Sequence, residues 1–102
     1  MGKILIIDDE KDIAELVSLI LRKEKIESDI ITDSFEALKV LETGNYNYDL
    51  ILLDIMMPNI SGTELCIKVR DKVSCPIVFL SAKKELVDKK VGYELGGDDY
   101  IT

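Results

Sequence analysis

A chain of 102 residues is the size of one domain, so a single core must serve the whole sequence. Hydrophobic residues at 47% and charged residues at 32%, with 6 Gly and 2 Pro, describe a folding globular sequence rather than a disordered or collagenous one. Lys and Arg number 13 against 20 Asp and Glu, and the net charge of −7 argues against direct binding to nucleic acid or to an anionic membrane surface.

The first apolar run is Ile4-Leu5-Ile6-Ile7, bounded by Lys3 and Asp8, and reads as a strand buried on both faces. From Glu10 to Glu24, Ile13, Leu16, Val17, Ile20 and Leu21 recur at helical spacing and predict an amphipathic helix with one buried stripe. Glu27 to Thr32, with Ile30 and Ile31, suits a second strand. Ser34 then stands as the N-cap of a helix through Phe35, Leu38 and Leu41, which Gly44-Asn45 ends. Leu50-Ile51-Leu52-Leu53 is a further doubly buried strand, followed by Asp54 and a loop at Met57-Pro58-Asn59. Ser61-Gly62-Thr63-Glu64 has the spacing of a capping box and opens a helix to about Asp71. Pro76 to Leu80 predicts the fourth strand. Lys83 to Leu95 predicts a helix on Val87, Val91 and Leu95, stopped by Gly96-Gly97, and Tyr100-Ile101 begins a fifth strand. No run is long enough to span a membrane, and Met1-Gly2-Lys3 leads straight into the first strand, so neither a span nor a signal peptide is expected. Gly2 lacks the Ser or Thr that myristoylation requires where Ile6 stands. Cys66 and Cys75 form no metal-binding pair and His is absent, so two reduced thiols are expected and a zinc site is not.

Strands alternating with helices predict a doubly wound α/β fold with a parallel sheet. In such sheets ligands bind at the carboxyl ends of the strands, where strand order reverses. The polar residues at those ends are Asp8, Asp9 and Glu10 after the first strand, Asp54 after the third and Ser81 after the fourth. Taken alone, each has an ordinary reading: Asp9 and Ser81 as helix N-caps, Glu10 as a first-turn acid, Asp54 as a turn residue. Taken together they gather acids into one small space, which requires a cation or a proton. Oxygen-only donors suit Mg²⁺, and a carboxylate beside Mg²⁺ can attack a phosphoryl group to form an aspartyl phosphate. Ser81 is placed to donate to the new phosphoryl oxygens.

At these same residues the sequence resembles a known family. Ile6-Ile7-Asp8-Asp9-Glu10, Leu53-Asp54-Ile55-Met56-Met57-Pro58-Asn59-Ile60-Ser61-Gly62, Leu80-Ser81-Ala82 and Gly96-Gly97-Asp98-Asp99-Tyr100-Ile101-Thr102 resemble the receiver domain of bacterial two-component response regulators. Val87 to Tyr100 is most similar to the OmpR-like class, whose members append a winged-helix DNA-binding domain. The resemblance implies a flavodoxin-like, five-stranded sheet of order 2-1-3-4-5 in a cytoplasmic protein of phosphorelay signalling and transcription regulation. It implies Asp54 as phosphoacceptor, and Asp8, Asp9, Asp54 and the Met56 backbone carbonyl as Mg²⁺ ligands. It further implies Ser81 as the switch hydroxyl and Tyr100 as the switch aromatic. The implied partner is a sensor histidine kinase, with DNA reached only through an output domain absent from this chain. The family continues past the residue matching Thr102 with a Lys, usually a Pro, and a final helix, so residues 1–102 are read as a receiver domain truncated before its last helix.

Other residues have plainer readings. Tyr46 and Tyr93 suit an amphipathic surface, and Met56-Met57 suit packing. Lys83, Lys84, Lys89 and Lys90 read as a solvated face, against the alternative of a homodimer through that helix and the fifth strand. A second dimer surface would be the sheet face left by the missing helix. Two rival functions share the fold: an aspartyl-phosphate phosphatase, which would carry a second acid where Met56 stands, and an interaction module that is never phosphorylated. On the favoured reading the domain is a signalling phosphoacceptor that catalyses only its own phosphotransfer and dephosphorylation.

Overall fold

The structure, a computed structural model, describes residues 2–44 and 47–80, and the backbone of Asp99–Ile101. Strand β1 (Lys3–Ile7) leads through helix α1 (Lys11–Lys23) to β2 (Glu27–Ile31), and α2 (Ser34–Thr43) leads to β3 (Leu50–Asp54). Helix α3 (Gly62–Val69) continues into a 3₁₀ turn over Arg70–Lys72, followed by β4 (Ile77–Leu80) and β5 (Asp99–Ile101). All pairs are parallel, in the order β2-β1-β3-β4-β5. The predicted helix over Lys83–Leu95 lies outside the described residues.

Period-two alternation within the apolar strands builds a core on each face of the sheet. Leu5, Ile7, Ile51, Leu53, Ile77 and Phe79 point to one face, where Ala37 and Leu41 of α2 and Leu65, Cys66 and Val69 of α3 cover them. Ile6, Leu52 and Val78 point to the other, where Ala14, Val17 and Leu21 of α1 pack. Both cysteines are buried, and no disulfide joins them.

The helices differ from their predicted faces in ways that have physical causes. In α1 the stripe turns about Ala14, whose small side chain allows close approach to the sheet, and this leaves Leu16 55% and Ile20 54% exposed. In α2 the buried line is Ser34, Ala37 and Leu41, which puts Phe35 outward, 57% exposed. The cap of α2 is Asp33, whose carboxylate accepts the Glu36 N–H at 3.1 Å. Ser34 therefore is not the N-cap. The acceptor one residue earlier meets the amide of the third helical residue, and the serine hydroxyl turns inward. Gly44 ends α2 in the left-handed conformation, φ 68°, as predicted. Ser61 caps α3 by accepting the Glu64 N–H at 3.1 Å, also as predicted, while regular α-helix stops at Val69 before the 3₁₀ turn.

Candidate functional site

The order β2-β1-β3 places the reversal of strand order between β1 and β3, and their register sets Ile7 opposite Leu53. The next residues along, Asp8 and Asp54, therefore leave neighbouring strands side by side. Together with Asp9 they bring carboxylate oxygens to within 4.8 Å of one another. Asp8 is 3% exposed; its N–H donates to the Ile31 carbonyl at 3.2 Å, and its Oδ1 accepts the Glu10 N–H at 2.9 Å. Asp54 is half-buried and Asp9 is exposed at the rim. Asp9 does not cap α1. The cap position is Glu10, with no side-chain capping bond, so the capping explanation of this acid fails.

The loop from β3 to α3 is pinned close to Asp54. Gly62 donates its N–H to the Ile55 carbonyl at 2.7 Å, and a Cβ built on it would collide with the Asp54 carbonyl oxygen. Only glycine permits that approach. Ile60 donates to the Pro58 carbonyl at 2.9 Å across Asn59, which stands at φ 71°. The Ser34 hydroxyl, from α2, donates to the same Pro58 carbonyl at 2.9 Å and accepts the Ile60 N–H at 3.3 Å. Met57 is buried in the larger core, whereas Met56 is 62% exposed. Sequence reasoning assigned no role to Gly62 or to this bridge from Ser34. The available signal was a glycine, a poor helix former, in the first turn of a predicted helix directly after the loop.

Burial is the first cause that raises the Asp54 carboxyl, to about 7; the negative charges of Asp8 and Asp9 and hydrogen bonds from a protonated Asp54 to those neighbours add to it. Asp8 is also raised, again chiefly by burial, against the opposing Glu10 N–H bond. Crowded acids in this state favour a proton or a cation. Three oxygen donors from separate residues, with one side open at Asp9, fit a hard divalent ion, and this cluster could hold one.

Ser81, the fifth predicted site residue, lies outside the described residues. It would directly follow Leu80, which is paired with Asp54. Of Tyr100 only the backbone is described, paired opposite Phe79 in β5.

A family model for the response regulator receiver domain matches residues 4–102. The chain belongs to that family. Among relatives, the receiver is 49% identical over 102 residues to the transcriptional regulatory protein SpaR of Bacillus subtilis, covering 100% of this chain and 45% of SpaR. It is 40% identical over 102 residues to the sensory transduction protein RegX3 of Mycobacterium tuberculosis, covering 100% of this chain and 44% of RegX3. These relatives are OmpR-family response regulators. The receiver thus spans less than half the length of either relative. Among solved structures, the response regulator TrrA of Thermotoga maritima, in complex with Mg(2+)-BeF, superposes with a TM-score of 0.84 at 36% identity, covering 100% of this chain and 86% of TrrA. Among the described residues, no helix of the receiver is long and apolar enough to cross a membrane.

Proposed function

We propose that this receiver is the phosphoacceptor of a two-component system, taking a phosphoryl group onto Asp54 from the phosphohistidine of a sensor histidine kinase with Mg²⁺ bound. The observation that carries this reading is the meeting of Asp8, Asp9 and Asp54 at the strand-order reversal. Asp8, Asp9, Asp54 and the Met56 carbonyl would hold Mg²⁺. When bound, the ion neutralises charge that builds up on the transferring phosphoryl oxygens. The Mg(2+)-BeF complex of TrrA supports that choice of ion.

An oxygen of ionised Asp54 attacks phosphorus; an O–P bond forms, and the P–N bond breaks with its electron pair going to the departing imidazole. The three-acid site holds the nucleophile at the mouth of the sheet, and the pinned loop orients it. Met56 presents a thioether where a phosphatase would need a second acid, which favours a switch over a turnover enzyme. Dephosphorylation in this reading is the receiver's own hydrolysis of the acyl phosphate, water adding to phosphorus as the bond to the Asp54 oxygen breaks. The new charge then shifts a conformational equilibrium through Ser81 and Tyr100.

The output in this reading is DNA binding and transcription regulation by a domain outside this chain, in the cytoplasm. A homodimer would form through the Lys83–Leu95 segment with β5. Acetyl phosphate with Mg²⁺, followed by intact mass, tests the central step. The expected result is one added phosphoryl group, lost in Asp54→Ala and absent without the ion. No added mass in a chain extended past Thr102 would return the interaction-module reading.

A further inference from the structure

We propose that Ser34 is a positioning residue for the metal site, its hydroxyl fixing the loop that carries the Met56 carbonyl; this rests on the reading of the site given above. Ser34 is polar yet only 4% exposed, and it opens α2 without capping it, because Asp33 does so. Its hydroxyl is directed at the β3–α3 loop, donating to the Pro58 carbonyl at 2.9 Å and accepting the Ile60 N–H at 3.3 Å. Both contacts cross more than twenty residues of sequence, so they tie a separate helix to the loop rather than closing a local turn. Among the described residues, the loop is otherwise held by short-range bonds within itself, the Gly62 N–H on the Ile55 carbonyl at 2.7 Å and the Ile60 N–H on the Pro58 carbonyl at 2.9 Å.

Met56 sits between the Ile55 and Pro58 anchors, and its side chain is exposed rather than packed. The direction of its carbonyl is therefore set by the anchors on either side. Removing Ser34 releases one of them, while the three carboxylates, borne on the two residues that follow β1 and on the last residue of β3, keep their places. Outer partners of this type orient a metal's direct ligands, and losing one typically lowers metal affinity about tenfold or more.

The test is calorimetric titration of Mg²⁺ into this chain, well below its unfolding midpoint. Wild type, Ser34→Ala and Ser18→Ala are compared. Ser18 makes a hydroxyl pair with Ser28 at 2.7 Å near the opposite ends of the strands, so its loss matches the chemistry without touching the loop. The expected result is a dissociation constant raised about tenfold in Ser34→Ala and unchanged in Ser18→Ala. Ser34→Cys, with similar volume and a weaker bond, should fall between wild type and Ser34→Ala, and replaces the alanine variant if that variant does not fold. Equal Mg²⁺ affinity in wild type and in the folded Ser34 variant overturns this inference alone. Absence of Mg²⁺ binding in wild type overturns the reading of the site, and this inference with it.

Discussion

In the proposed reaction Asp54 would act as an anion, in surroundings that favour its neutral form. With its carboxyl raised to about 7 against a free-chain value near 3.9, the folded state binds the proton more tightly than the unfolded state. That contribution to stability is complete below the unfolded value and is lost as pH rises through about 7. Asp8, also raised, has the same sign. The metal-free chain is therefore expected to melt at a lower temperature at pH 8 than at pH 5.5, and Asp54→Asn to flatten that difference and raise the melting temperature at pH 8. Scanning calorimetry in chelator checks both; a wild-type midpoint that rises from pH 5.5 to 8 would contradict the electrostatics. Gly62 stands at the same scale. Gly62→Ala forces its Cβ against the Asp54 carbonyl, and overpacking of this kind costs about 1–3 kcal/mol, readable as a lower urea midpoint.

At the scale of elements, the acids and serines near the site separate into those that support helices and those that do not. Ser61→Ala removes the cap of α3 and should cost about 1 kcal/mol in urea unfolding. Asp33→Ala should do the same to α2. Asp9→Ala is expected to behave oppositely in metal-free buffer at pH 8, where Asp54 is ionised, stabilising the fold, because Asp9 caps nothing and its charge opposes that of Asp54. The far end of the sheet has its own polar fastening. The Tyr48 hydroxyl donates to Asp29 at 2.7 Å, and Lys3 Nζ meets Asp29 at 3.2 Å and lies 5.7 Å from the centre of the Tyr48 ring. The Tyr48 hydroxyl, first, and then Lys3 hold the Asp29 carboxyl below its usual range, with burial opposing them. Burial and Asp29 push the Tyr48 phenol up to about 12. This link joins β2 to the entry of β3 and gives Tyr48 a structural role. No feature of the sequence marked it, since its partner is 19 residues away.

For the molecule as a whole, a ligand that binds only the folded state raises stability by mass action. Millimolar Mg²⁺ should therefore raise the melting temperature and weaken the fall in stability between pH 5.5 and 8, while Asp8→Ala removes most of that response. A melting curve indifferent to Mg²⁺ would contradict the site. The core makes a separate expectation. Phe79 is fully buried on the central part of the sheet, and Phe79→Ala should cost about 3–5 kcal/mol, enough to unfold much of a small domain at 37 °C.

Much of this was legible in the linear chain, for a physical reason: periodicity, capping and turn chemistry act over a few residues. The runs Ile4–Ile7 and Leu50–Leu53 declared strands enclosed on both sides, Gly44 and Ser61 announced helix ends, and acids directly after apolar runs announced strand mouths. What the chain alone left open were matters of long-range contact. Whether Asp8 faces Asp54 depends on β1 lying beside β3 with Ile7 opposite Leu53, residues 46 apart in sequence that only sheet assembly brings together. Whether Asp9 or Ser34 caps a helix depends on neighbours competing for the same amides, and the folded backbone gave those bonds elsewhere. The acids were written in the chain, but their convergence, and the serine that ties α2 to their loop, belong to the tertiary structure.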